Sequence, residues 1–388
     1  MLYLFPMALA LLSSARREPI DPYPGLETVR HLYVHTPFCA TVCPYCAFYV
    51  HTGSAAEMRS FVEALLLEWD RLRRTYPIAA RTLYFGGGTP SLLPLDAFRR
   101  LAEALRPWES VEATLEANPR TVTPEKAAAW RELGIGRVSL GVQSLDPAVL
   151  RTLGRRHRPR DVERTMAVLR EAGFENINVD LIFGVPGQSI ASWKETLEGV
   201  IAMAPAHISA YELTYEEDTP FFEARAAGVW REDEERSIAM YREAWSLLEA
   251  AGYRQYEISN YARPGRECLH NQGYWMGDDY LGLGPGAFST VGLRRWQNRR
   301  HTGRYVAALS AGREPPREEE GLSEEVRRRE RLMLGLRTSR GIPYSWIEGE
   351  AERARALIGQ GLAELSDGTF RLTPEGRLLA DGIAGLFV

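Results

Sequence analysis

Between Val29 and Tyr215 the chain alternates short β-branched or apolar runs with longer amphipathic stretches, and this alternation narrows the fold more than any other feature. Parallel neighbours in a sheet need a crossover of a dozen or more residues, which the amphipathic stretches supply. Strands are expected at His31 to His35, Thr82 to Phe85, Ala113 to Glu116, Arg137 to Val142, Ile177 to Ile182 and His207 to Leu213. Helices are expected over Glu57 to Arg74, Leu95 to Leu105, Pro124 to Leu133, Arg160 to Ala172 and Ser192 to Met203. Thr123 before Pro124 reads as an N-cap followed by a first-turn proline, and Gly134 and Gly173 are placed as helix stops. The fold class is therefore α/β, a partial (β/α)6 barrel of the TIM type that stops short of eight strands.

Beyond the barrel, Ala311 to Leu322 is polar and reads as a linker. Helices near Glu324 to Arg337 and Tyr344 to Ile358, a strand pair turning at Asp367 and Gly368, and a final helix then describe a small winged-helix-like α+β module. The expected organisation is an N-terminal extension at 1–27, the barrel at 28–312 and the winged-helix-like domain at 313–388.

Three of the four cysteines, Cys39, Cys43 and Cys46, fall in a C-x3-C-x2-C run directly after the first strand. Three thiolates can hold three irons of a [4Fe–4S] cluster and leave the fourth iron open to a small molecule. A structural zinc site of the Cys3His type, completed by His35 or His51, is the competing reading. The odd cluster with one distant Cys268, and a chain of 388 residues, 45% hydrophobic, that needs no staples, argue against a disulfide framework. The net charge of -4 argues against nucleic acid as a partner, with Arg155, Arg156, His157 and Arg158 as an example of a local basic patch. Lys126 and Lys194 are the only lysines, an arginine bias read as genome composition. The apolar Met1 to Leu12 segment has no basic flank before it and is shorter than the about 20 residues that cross a bilayer. A cytoplasmic location is expected; membrane association is left open and not required.

The unusual polar residues gather at one end of the predicted sheet. The cysteines follow strand one, Gly86 to Pro90 (Gly-Gly-Gly-Thr-Pro) follow strand two, Glu116 ends strand three, Gln143 ends strand four and Asp180 lies late in strand five. Parallel α/β folds place ligands and chemistry at that end.

The runs Tyr33 to Cys39 (Tyr-Val-His-Thr-Pro-Phe-Cys), Gly86 to Pro90, Leu140 to Ser144 (Leu-Gly-Val-Gln-Ser) and Asn178 to Gln188 resemble the radical S-adenosylmethionine (SAM) superfamily. Within it, they resemble the group that holds oxygen-independent coproporphyrinogen oxidases (HemN) and HemW-type haem chaperones. The resemblance implies a [4Fe–4S] cluster on Cys39, Cys43 and Cys46, with SAM beside Tyr33 and Tyr45, whose faces would stabilise its sulfonium. It implies further that Gly87, Gly88 and Thr89 offer room and N–H groups to the amino-acid end of SAM. Glu116, Gln143, Arg155 and Asp180 would supply charge and hydrogen bonds to its carboxylate and ribose. The oxidases carry a further cysteine two residues after the third ligand; Phe48 stands there, as in HemW-type chains. His270-Asn271-Gln-Gly-Tyr274-Trp275 matches the HNxxYW motif linked to haem in those chains. His270 would ligate haem iron, with Cys268 as an alternative ligand, and Tyr274 and Trp275 would stack on the porphyrin or bond its propionates. A plainer reading has His270, Asn271 and Trp275 fold a loop over the barrel mouth. The implied function is a chaperone that passes haem to an acceptor such as a respiratory haem protein. The alternative is an oxygen-independent coproporphyrinogen III oxidase, which decarboxylates propionate side chains by radical chemistry.

Overall fold

A computed structural model describes residues 28–105, 112–231 and 233–388; the expected extension at 1–27 lies outside the described residues. Six parallel strands form its centre in chain order: β1 (Val29–Thr36), β2 (Ile78–Gly87), β3 (Glu112–Ala117), β4 (Arg137–Gln143), β5 (Asn176–Phe183) and β6 (His207–Glu212). Each is joined to the next through helical segments, among them Ala55–Thr75, Leu95–Ala104, Pro124–Glu132, Pro159–Glu171 and Ile190–Ala202. Thr123 accepts from the Lys126 N–H as the expected cap, and Gly134 and Gly173 both take φ +85° at helix ends.

The two faces of these strands differ sharply. Leu32, Val34, Leu83, Phe85, Leu115, Val138, Leu140, Val179, Leu181 and Ile208 alternate along the strands and pack into the main core with helix residues such as Phe61, Leu65 and Phe98. The intervening positions carry His31, Tyr33, Thr82, Tyr84, Thr114, Arg137, Ser139, Asn178, His207 and Ser209, all buried. Parallel strands covered on both sides usually read as unbroken apolar runs. A polar inner register on six of them leaves a barrel interior built to hold something polar.

Further strands widen this sheet at both edges. On the β6 side, β7 (Arg254–Gln255) pairs with β8 (Asn260–Ala262), which lies antiparallel to β6. On the other side β9 (Tyr280–Leu283) runs parallel to β1 and is followed by antiparallel β10 (Phe288–Val291), β11 (Arg294–Asn298) and β12 (Arg317–Gly321). The large sheet extends past residue 312 to Gly321, because within the polar run at 311–322, expected as a linker, Arg317–Gly321 is an edge strand. Its charges are those of an edge strand: Arg294 pairs with Glu319 at 3.3 Å and Arg295 with Glu320 at 3.6 Å across the ladder.

The C-terminal unit packs helices Glu324–Leu336 and Ala351–Gly359 on a small sheet of β13 (Ile342–Pro343), β14 (Ala363–Ser366) and β15 (Thr369–Leu372). Leu332, Leu336, Ile342, Leu357, Phe370 and Ile383 form its own core. Asp367 and Gly368 turn the β14–β15 hairpin with φ +50° and +71°. The helix expected over Tyr344 to Ile358 is broken into 3-10 turns at Tyr344–Trp346 and Glu348–Glu350 before the α-helix begins, with Gly349 in the break.

Candidate functional site

Cys39, Cys43 and Cys46 stand half-buried in the loop after β1 and line a cavity of about 800 Å³. The loop is tied down at both ends: the His51 N–H donates to Pro37 O at 2.8 Å, and the Cys39 N–H donates to His51 O at 2.9 Å. Neither histidine is left to complete a zinc site. His51 uses Nδ1 on Thr52 O (2.8 Å) and Nε2 on Thr302 Oγ1 (2.7 Å). His35 uses Nε2 on Tyr49 O (2.9 Å) and Nδ1 on the Tyr33 hydroxyl (3.1 Å). Among the described residues no three His, Cys, Asp or Glu side chains converge as ligands of one ion. A cubane makes no such demand, because each thiolate takes its own iron.

The same cavity is lined by Tyr33, Tyr45, Gly87, Gly88, Thr89, Glu116, Gln143, Arg155 and Asp180. Burial, then the nearby Asp180 carboxylate, pushes Glu116 up to about 7, against hydrogen bonds from the Tyr84 hydroxyl (2.9 Å) and the Gly87 N–H (3.1 Å). Asp180 accepts from Ser139 and Asn178, each at 2.8 Å. Arg155 turns inward, donating to Asn118 Oδ1, to Gly141 O at 2.7 Å and to Cys43 Sγ at 3.7 Å, whereas Arg156 and Arg158 are exposed. Gln143 closes β4 at φ +66°, a left-handed conformation that costs a non-glycine residue energy and is typical of a functional strand end.

One expectation fails here. The N–H groups of the glycine run are already committed: Gly87 to Glu116, Gly88 to Thr36 O (2.7 Å) and Thr89 to Phe38 O (2.8 Å). What the run provides is close packing within the protein. A Cβ on Gly88 would sit 2.7 Å from Phe38 O, so the strand end and cysteine loop can meet only at glycine.

The HNxxYW segment is helix Leu269–Trp275 and does not fold over the mouth of the barrel. Glu112, the first residue of β3, accepts from the N–H groups of Leu269 (3.1 Å) and His270 (3.2 Å), and His270 Nδ1 lies 2.6 Å from Thr82 Oγ1. Thr82 precedes Gly87 by five residues, roughly 16 Å along a strand, so the helix enters from the end opposite the cysteines. His270, Tyr274 and Trp275 nevertheless line the same cavity. The His270 ring is 1% exposed, stacked on Tyr84 (4.9 Å, 25°) and edge-on to Tyr274 (4.9 Å, 90°). Burial first, then His31 and Arg137, hold it well below the usual histidine range, so it is neutral. Its Nε2 has no hydrogen-bond partner among the described residues, nor has Trp275 Nε1.

Asn271 and Cys268 are not on the cavity wall. Cys268 donates to Asn271 Oδ1 at 3.2 Å, and burial pushes its thiol up to about 12, which leaves it a protonated packing residue. Tyr84, Asn118 and Ser139 line the cavity without having been singled out in the sequence, Thr82 reaches it through His270, and His35, named there only as a zinc ligand, lines it too. Counting back by twos along each strand from Glu116, Gly141 and Asp180 traces the same inner register and would have found Ser139 and Asn178.

A family model described as the Radical SAM superfamily matches residues 33–200, and one described as the HemN C-terminal domain matches 322–379. The heme chaperone HemW of Mycobacterium tuberculosis (strain H37Rv) is 36% identical over 386 residues, covering 95% of this chain and 98% of the relative. The chain belongs to the HemW family. HemW of Bacillus subtilis is 31% identical over 376 residues, covering 93% of this chain and 99% of its own. The solved coproporphyrinogen III oxidase HemN of Escherichia coli superposes with a TM-score of 0.80 over 98% of both chains at 24% identity, which shows that this chain shares its fold. Membership of the radical SAM superfamily implies a [4Fe–4S] cluster and SAM. The HemW-type residues here fit both, with three thiolates, a cationic Arg155 at 3.7 Å from one of them, and two carboxylates on a single cavity wall. Among the described residues no helix is long and apolar enough to cross a membrane.

Proposed function

We propose that the chain is a cytoplasmic haem chaperone. It holds its cluster and SAM at the C-terminal ends of β1 to β5, receives haem against helix Leu269–Trp275, and passes it to an acceptor haem protein, a respiratory one being the expected example. The observation that carries this reading is the buried, unpartnered Nε2 of His270 on the wall of the cavity that also holds the cysteines. A neutral imidazole nitrogen with no partner is costly to bury and is a ready iron ligand.

Within this reading Cys39, Cys43 and Cys46 hold the cluster, which supplies an open iron to the amino and carboxylate groups of SAM. Arg155 balances thiolate charge, and Glu116 accepts a hydrogen bond from the amino group of SAM. Gln143 and Asp180 meet its carboxylate and ribose, while Tyr33 and Tyr45 flank the sulfonium. Tyr274 and Trp275 provide porphyrin-facing surface, Trp275 Nε1 being a free donor for a carboxylate.

The test is an anaerobic spectral titration of the cluster-loaded chain with haem, comparing wild type with His270→Ala. Weakened binding and a displaced Soret band are expected; an unchanged curve and spectrum would remove His270 as ligand. Incubation with reductant, SAM and coproporphyrinogen III decides against the oxidase alternative by yielding no protoporphyrinogen. Product formation would make the chain an oxidase despite Phe48.

A further inference from the structure

We infer that Asp278, His31 and Thr82 form a hydrogen-bond relay that fixes the tautomer of His270, leaving its Nε2 unprotonated toward the cavity, and that these three are positioning residues for iron ligation. The inference rests on the proposal that His270 meets haem iron.

The chain of contacts runs without a gap. Asp278 Oδ2 lies 3.1 Å from His31 Nε2, His31 Nδ1 lies 2.9 Å from Thr82 Oγ1, and Thr82 Oγ1 lies 2.6 Å from His270 Nδ1. Asp278 can only accept, so His31 Nε2 carries the hydrogen. In a neutral imidazole the other nitrogen is then a lone pair, and the Thr82 hydroxyl must donate to it. With its one proton committed, Thr82 can only accept from His270, which places the hydrogen on Nδ1 and leaves Nε2 bare. The reverse direction, with His31 as an imidazolium, would put an N–H on His270 Nε2 with nothing to receive it. Orphaned buried N–H groups are rarer in proteins than under-satisfied acceptors, so the first direction is favoured.

Two packing features serve the relay. The His270 ring is held between Tyr84 and Tyr274 and cannot swing to exchange its nitrogens. Gly273, inside the HNxxYW helix, admits His31: a Cβ there would stand 2.5 Å from His31 Nε2. The product is an imidazole whose Nδ1–H is anchored and whose Nε2 is presented, the arrangement by which outer hydrogen bonds orient metal-binding histidines.

Nitrogen NMR on the full chain labelled with ¹⁵N-histidine, with the His270 signals assigned by their loss in His270→Ala, reads the tautomer without any haem. An unprotonated Nε2 is expected in the wild type and in Thr82→Ser. Thr82→Val, close to threonine in shape, is expected to scramble the tautomer and weaken haem binding by about 10- to 100-fold, the range for outer-shell partners of a metal ligand. Asp278 is partly exposed, so Asp278→Asn disturbs the fold least; its amide can donate to His31, reverse the relay and shift His270 toward Nε2–H. A protonated Nε2 in the wild type, or unchanged tautomer and haem affinity in both Thr82→Val and Asp278→Asn, overturns the inference. A tautomer that responds to Thr82 while haem binding ignores His270→Ala confirms the relay and overturns the iron ligation on which its purpose rests.

Discussion

Glu116 shows how a residue's role follows from its surroundings. The side chain ends β3 where its carboxylate is desolvated and faces Asp180, and it is pushed up to about 7. At neutral pH it is thus poised between acid and carboxylate, and an N–H donated by the iron-bound amino group of SAM favours the carboxylate. SAM affinity is expected to rise as pH increases through about 7 in the cluster-loaded chain, and to lose that dependence in Glu116→Gln, as read by anaerobic calorimetry. The sign for stability is opposite. A carboxyl whose pKa is raised on folding contributes stability that is fully present below about 4.3 and lost as pH rises through about 7. Glu116→Gln is therefore expected to raise the apo thermal midpoint above pH about 7 relative to wild type, with little difference below pH about 4. In the sequence Glu116 was legible as a strand-end carboxylate, but its protonation was not, because burial and then Asp180 act on it only once the sheet is assembled.

At the scale of elements, the long periodic segments read correctly because their signals are local. Helix Ala55–Thr75 begins at Ser54, whose side chain accepts from the Glu57 N–H while Glu57 Oε2 accepts from the Ser54 N–H at 2.7 Å. Ser54→Ala is expected to cost about 1 kcal/mol, seen as a lower thermal midpoint, and to leave SAM and haem titrations unchanged. Short edge strands gave no such signal. β7, at two residues, has no period to detect, and β12 has the polarity of a linker because an exposed edge and a linker are solvated alike. The HNxxYW helix was legible as a motif and illegible as to place: seven residues long, it is positioned by Glu112 and Thr82, which precede it by more than 150 residues.

For the molecule as a whole, the contact between the two units is built on buried charge. Helix Glu324–Leu336 is fixed to the large sheet by Arg295, which grips Glu330 with two hydrogen bonds of 2.7 and 2.8 Å, and by Arg327 on Asp279 at 3.1 Å. The Arg295 side chain is 5% exposed and that of Glu330 11%. Glu330→Gln removes the two-bond partner of buried Arg295 and leaves it only the longer contact with Glu320 at 3.6 Å, so a loss on the order of 3 kcal/mol is expected, measured as early unfolding of the C-terminal unit in hydrogen exchange. Asp279 adjoins Asp278, the first member of the relay, so helix docking and the His270 site share one turn of chain. By itself the sequence determined the alternation that builds the sheet, the cysteine spacing and the strand ends at which chemistry gathers, since each is written in neighbouring residues. Only the tertiary structure decided which glycine N–H groups were already spent, that Asn271 and Cys268 face away from the cavity, and that His270 meets Thr82 across 188 residues of chain. Those facts depend on which side chains are brought together when the strands close round a common interior, and no local pattern encodes them.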